Sequence, residues 1–533
     1  MAGQGRMRVW GVSFIKLARI GLLCVVSCGM LSGCVEEPSR SHKVPVGTDG
    51  GVLLKITDNL RTFLHWGDSF TVRRMPDAAS ADETCYSLRF GTRGEIAGVY
   101  LGGALPPGTY QFPRIGADQE SVGPCNGRDW LKTNSSGFAK FTVLAGKLTY
   151  LGVLARTGGE ELHVSYLIPL KPDSQVDVGE IARAEFPDLA ALDREGPQGW
   201  VAATLPYDRQ AVERYALAHA YGLIDPNETS NGTWIFGTRV GMVRTWAPGQ
   251  SKPVLHDTGR RVAFEATAVL PDGSWLVGGE ESTLLRSADA GHTWQSVRGD
   301  LPFGLVEHIQ PLGQDVFLTL VDGKDVFIYR GRVDAARWQK IASFHAEFAI
   351  WTGMRGVEPQ SFLVNNKYYI TTLPSKRLGV VDVTTGVTDV RDLPGGLASF
   401  NVSRDGVLRC RCTATIALNP YESHDLGKTW QSSTFSRYME LPGMADATHG
   451  VTLYRSGAFA DPGLAYTEDG QHWNQVADAP FTLRLFFFSR DGKTAYASDG
   501  AGVIRVSRDG GKQWWTVVSI PLPIGESVPY VRF

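Results

Sequence analysis

Several things are scarce in this 533-residue chain. There are seven cysteines, and three of them (Cys24, Cys28 and Cys34) crowd into the first 34 positions. The remaining four cannot staple a chain of this size, so a disulfide-built miniature scaffold is excluded. Positive charge is not in excess: 53 basic residues face 55 acidic ones. A nucleic-acid binder would show a basic patch or stripe, so none is expected as a partner. The eleven histidines contain no HxH or HxxxH pair, and no set of ligands has metal spacing, so neither metal nor cofactor is assigned. The glycine-rich strings VGGEES and LPGGLAS lack the Lys and the following helix of a phosphate loop, and no GxSxG elbow occurs. Long apolar runs are missing as well. The stretch from Ile20 to Met30 is short for a membrane span.

That stretch has another reading. Arg6, Arg8, Lys16 and Arg19 precede it, and Leu31-Ser32-Gly33-Cys34 follows. A basic start, a short apolar segment and small residues at the cut describe a secretory signal over residues 1–33. Leu-Ser-Gly-Cys resembles the lipobox of bacterial lipoproteins. The resemblance implies lipidation of Cys34, anchoring to a membrane by several acyl chains and, with Val35 rather than Asp next, an outer-membrane lipoprotein on the periplasmic or cell-surface side. Residues 1–33 carry four bases and no acid, so the rest has a charge of about −6, which favours solubility. Residues 34–50 are polar and rich in Pro and Gly, as a flexible tether is.

The remainder exceeds one ordinary core, so at least two domains are expected. Residues 51–170 give short alternating segments such as VLLKI, SFTVRRM, CYSLRFG and AGVYLGG, separated by turn residues. That pattern predicts half-buried strands in a small β-sandwich. LPPGTYQF together with FTVLAGKLTYLG resembles the carboxypeptidase-regulatory or transthyretin-like sandwiches, which are usually accessory. Cys85 and Cys125 share this domain and are a candidate disulfide. Cys410 and Cys412 stand at i and i+2 in LRCRCTA, on one strand face, and are expected to be two buried thiols. Residues 171–210 have helical spacing, interrupted by Pro187, and are expected to be a helical connector.

The rest of the chain repeats itself. SADAGHTWQSV (287–297), SHDLGKTWQSS (423–433), TEDGQHWNQV (467–476) and SRDGGKQWWTV (507–517) share one frame. It consists of Ser287, Asp289, Gly291 and Trp294; Ser423, Asp425, Gly427 and Trp430; Thr467, Asp469, Gly470 and Trp473; and Ser507, Asp509, Gly511 and Trp514. The tryptophans are 136, 43 and 41 residues apart. The long gap holds two further units, one ending at Trp338 and one near 384, and a seventh unit ends near 250. A period in the low forties with four strand signals per unit means a propeller. Residues 211–520 are therefore read as seven blades, with 521–533 as a tail. The fold class expected is all-β: a small β-sandwich followed by a seven-bladed β-propeller.

Each position in the frame has a physical role. The hydroxyl and carboxylate bond nearby backbone amides. Glycine accepts positive φ. The indole adds buried area and an N–H. The frame resembles the Asp-box, or BNR, repeat of sialidases and sortilin-like receptors, in which it lies at the outer edge of the blade, away from the ligand pocket. It therefore implies fold and not activity. The F/Y-R-I/L-P signature that accompanies sialidase activity is absent: Phe112–Gly116 reads FPRIG, in the other domain. No catalytic residue is assigned. Trp234, Trp275 and Trp351 fall in strand-like runs and are expected to pack between blades. The functional expectation is a lipid-anchored binding or scaffold module for a protein or glycan, with glycoside hydrolysis as the alternative.

Overall fold

The computed structural model describes residues 39–40, 48–58, 70–76, 84–92, 99–111, 131–133, 140–158, 165–171, 173, 175–192, 209–218, 220–221, 227–345, 359–372, 375–402, 406–413, 418–433, 442–454, 463–476, 483–499 and 503–518. The leader, Cys34, Cys125, Trp351 and the tail from 521 lie outside them.

Ten strands form the first domain. They are β1 (Ser39–Arg40), β2 (Gly50–Asp58), β3 (Phe70–Arg74), β4 (Cys85–Phe90), β5 (Val99–Leu105), β6 (Gly108–Gln111), β7 (Leu131–Thr133), β8 (Lys140–Val143), β9 (Leu148–Gly158) and β10 (Ser165–Pro169). They join one hydrogen-bonded path, β7-β10-β9-β2-β5-β4-β3-β6-β8, with β1 beside β4. β4 links the two halves: its first residues pair with β3, and Arg89 and Phe90 pair with β5. Alternation along β2 sorts its side chains. Val52, Leu54 and Ile56 enter a core with Val72, Leu101, Tyr110, Phe141 and Leu154. Leu53, Lys55 and Thr57 take the opposite face, and they too are buried. β2 is thus covered on both sides, where the sequence pattern suggested one.

Helix α1 (Val178–Glu185) starts at Asp177, whose carboxylate accepts from the Glu180 amide, and stops before Pro187. Its Ile181 and Ala182 pack with Leu53, Tyr100, Leu148 and Tyr150. Helix α2 (Arg209–Ala218) continues past 210, so the first blade strand begins at Ala220.

Seven antiparallel sheets follow, over 220–257, 264–296, 305–345, 359–392, 396–432, 443–476 and 483–518. In six of them four strands lie in chain order, in the first Ala220–Tyr221 and Asn227–Glu228 share the inner edge of Trp234–Thr238, and inner strands of neighbouring blades meet at a hub. The protein is nearly all β, and this part is a seven-bladed propeller. Among the described residues every blade is built from one continuous stretch of chain, with no exchanged strand. Closure rests on packing. Trp234, Phe236 and Trp246 of blade 1 meet Phe487, Tyr496 and Ile504 of blade 7, and the Arg490 amide donates to Glu228 Oε2 at 2.5 Å. Trp234, Trp246 and Trp275 are buried in blade packing.

Two findings concern cysteine. Cys410 and Cys412 are not free thiols but bonded to each other. Their Cα atoms lie 5.8 Å apart, within disulfide reach, so one strand face can hold the bond. Cys85 is also disulfide-bonded.

Candidate functional site

The four Trp turns connect the third and fourth strands of blades 2, 5, 6 and 7. In blade 2, Ser287 Oγ takes the Gly291 amide at 2.8 Å and bonds Asp289 Oδ1 at 2.8 Å. Asp289 accepts from the Thr293 amide at 2.9 Å and the Thr293 hydroxyl at 2.6 Å. These bonds hold its carboxyl down to about 2, with Thr293 the main cause. Ser423, Asp425 and Gly427 repeat the arrangement, as do Thr467, Asp469 and Gly470, and Ser507, Asp509 and Gly511. The glycines carry the positive φ the turn demands, +87° at Gly291 and +88° at Gly427.

The tryptophans differ from expectation. Trp294, Trp430, Trp473 and Trp514 are half-buried, each with one face against a blade cluster. They flank the outermost strand, so the other face meets solvent. Trp294 and Trp514 donate to the carbonyl three residues back, at 3.2 and 2.9 Å, while the Nε1 atoms of Trp430 and Trp473 have no partner among the described residues. The Ser or Thr hydroxyl and the Asp carboxylate of each turn bond within their own turn, so the four turns fasten the rim.

The hub is organised by a device that the sequence did not reveal. In blades 2, 3, 5 and 7 the innermost strand skips one residue in pairing with the second. The residues left out of the ladder are Glu265, Glu307, Ala398 and Arg484. Each lies near the start of its strand, so the bulges share one level of the ring. A bulge re-aims a side chain and is common beside binding sites. Glu265 and Glu307 are buried, as is His308. Polar links step from blade to blade around the hub. Asn227 donates to the Thr267 carbonyl at 2.7 Å, Thr319 bonds Ser361 at 2.9 Å, and Asn401 donates to the Pro442 carbonyl at 2.7 Å. Gln360 Oε1, Ser399 Oγ and Asn401 Oδ1, on the neighbouring inner strands of blades 4 and 5, have no hydrogen-bond partner among the described residues.

The bulges lie toward the face made by second-to-third-strand turns and blade-to-blade connections. The first domain sits on that same face, over blades 1 to 3. Its contact is a buried ionic cluster. Lys55 Nζ lies 2.6 Å from Glu281 Oε1 and 2.9 Å from Glu280 Oε2. The Tyr100 hydroxyl donates to Glu281 Oε1 at 2.5 Å. Arg260 reaches Glu281 Oε2 at 2.7 Å and Asp173 Oδ2 at 2.9 Å. Burial alone would lower the Lys55 pKa, but Glu280 and Glu281 outweigh it and the ammonium is held above its ordinary value. Burial would likewise raise the Glu281 carboxyl, yet Lys55 and Arg260 hold it below the usual range. Glu281 and Ser282 stand at φ +59° and +51°, uncommon for side-chain-bearing residues. Arg298 grips Glu180 of α1 through both guanidinium arms, and Phe303 joins the cluster around α1. Val153, Ala155, Val212 and Tyr215 pack on Val240 and Met242 of blade 1.

Among the described residues no group of three His, Cys, Asp or Glu could hold a metal ion, and no helix is long and apolar enough to cross a membrane.

No protein-family model and no curated protein matches the sequence. Solved structures do. YCF48 bound to D1 peptide is similar at 13% identity, with TM-score 0.44, over 55% of this chain and 94% of that one. YCF48 from Cyanidioschyzon merolae is similar at 13% identity, with TM-score 0.39, over 56% and 95%. A chain of the mitotic checkpoint complex is similar at 9% identity, with TM-score 0.41, over 55% and 91%. Such distant likeness speaks to the fold alone.

Proposed function

We propose that this chain is an exported outer-membrane lipoprotein, anchored through Cys34, whose propeller of Asp-box type binds or scaffolds a protein or glycan without chemistry. The observation that carries the binding reading is the recurring hub bulge at Glu265, Glu307, Ala398 and Arg484. Four blades lift one residue each out of the ladder at a common level, beside the face on which the first domain is seated. A rigid ring whose inner strands share an irregular level near one face is a common binding platform. The buried seat of the first domain supports the scaffold reading, because it fixes that domain relative to the mouth.

A second reading has its own observation. Glu265 and Glu307 occupy equivalent bulges in adjacent blades, and glycoside hydrolysis needs two carboxylates. One experiment separates the readings. The protein with Glu265→Gln and Glu307→Gln, alongside wild type, is used as bait in envelope extract and assayed with fluorogenic glycosides. Loss of a specific wild-type partner in the variant supports binding at the hub. Glycoside turnover by wild type that is abolished in the variant supports the hydrolase. Equal capture of the same partner by both proteins overturns the hub as the binding surface.

A further inference from the structure

Cys410 and Cys412 lie on the second strand of blade 5, Leu408–Thr413, which is paired on both edges. Both residues have 0% exposure. Their face of the strand packs with Leu397, Phe400 and Leu408 of the same blade and with Tyr369, Leu378 and Val380 of blade 4. Residues of the neighbouring blade therefore share the buried cluster that holds the two cysteines. Arg411, between them, takes the other face.

A disulfide forms by attack of a thiolate on a disulfide sulfur, and that attack needs access. A folded blade 5 gives none. We propose that the Cys410–Cys412 bond is a permanent modification, made by thiol–disulfide exchange before blade 5 docks on blade 4 and sealed from reductants afterwards. One cysteine thiolate attacks a protein or small-molecule disulfide, forming a mixed disulfide and releasing one thiolate. The second cysteine thiolate attacks the sulfur of its neighbour and releases the other. Two cysteine protons are lost, and the oxidant takes two electrons. The oxidant acts on the open chain, so the chain must meet an oxidising compartment while it folds. This holds whatever the hub binds.

Peptide-mapped alkylation of the full chain purified from its native envelope tests the state of the bond. Positions 410 and 412 should be labelled only after denaturation with reductant. Labelling after denaturation without reductant, or in the native protein with reductant, overturns the proposal. Timing is tested by refolding the denatured, reduced chain. With oxidised glutathione present from the start, the bond should form. With oxidised glutathione added after refolding, the thiols should persist, and failure to refold without oxidant would equally support early formation. Equal bond formation with late addition contradicts it.

Discussion

Replacing Lys55 by methionine is the sharpest perturbation of the domain junction. The side chain is fully buried and bonds Glu281 at 2.6 Å and Glu280 at 2.9 Å. Methionine keeps the length and much of the volume but removes the charge and its donors. Breaking a buried ion pair from one side costs about 3–5 kcal/mol, because the remaining charge stays buried. Arg260 and Tyr100 still hold Glu281, so the cost should fall near the lower end, about 3 kcal/mol. The exposed Arg209–Glu213 pair on α2 is a control; breaking it should cost about 0.3–0.5 kcal/mol. Urea unfolding reads both as midpoint shifts at unchanged slope. Lys55→Met combined with Glu281→Gln should cost less than the sum of the single changes. The pH dependence has two limbs. The Lys55 pKa is raised above 10.5, so its contribution is whole below that value and fades as pH climbs through the folded-state pKa. The Glu281 pKa is lowered below 4.5, so its contribution is whole above that value and fades as pH falls through the folded-state pKa. The contribution of this pair should be level between, and Lys55→Met should lose its share of the alkaline limb while the buried tyrosines Tyr100 and Tyr150, raised well above 10, keep theirs. A Lys55→Met cost below about 1 kcal/mol, or strict additivity with Glu281→Gln, would refute the reasoning.

Three further outcomes are expected. Trp338 is buried and donates to the Val297 carbonyl at 3.2 Å, so Trp338→Ala should cost about 3–5 kcal/mol in chemical denaturation, against about 2 kcal/mol for half-buried Trp294→Ala; equal costs would contradict the assignment of depth. Asp289 is held at about 2, so its contribution is present above the ordinary carboxylate range and lost as pH falls through the folded-state value; melting of Asp289→Asn should lose that acid-dependent component, and an unchanged acid profile would count against the turn network. Gly241 has φ +78°, and an added Cβ would lie 1.8 Å from the Arg260 carbonyl oxygen. Gly241→Ala should therefore cost more than about 2 kcal/mol, whereas Gly249→Ala, at φ +94° with open space around it, should cost about 1 kcal/mol.

What could be read from the sequence was local. The Trp turns spell out their own hydrogen bonds within eight residues, and their spacing carries the ring. The helix stop at Pro187 is local in the same way. Lys55 gave a partial signal, a charge inside the apolar run VLLKI, but its partner Glu281 is 226 residues away and only the folded seat joins them. The GGEEST turn offered two adjacent acids and no hint that blade 2 would bury them. The hub bulges were illegible because one skipped residue in FEATAV or LVEHIQ leaves the strand composition unchanged; only the register shows it. Cys410 and Cys412 were placed on one strand face correctly, but the Cα separation that lets them bond depends on the folded strand. The half-exposure of the rim tryptophans follows from their place beside the outermost strand, which a turn motif alone does not disclose.

The central claim is a closed seven-bladed ring in which blade 7 packs against blade 1. Spin labels on cysteines introduced at Asn231 and Lys493 measure it directly. Both sites are exposed, and they flank Glu228 and Arg490, which meet across the seam although 262 residues separate them. The account predicts one narrow, short-distance population. A long or broad distribution, as an open array of sheets would give, contradicts it.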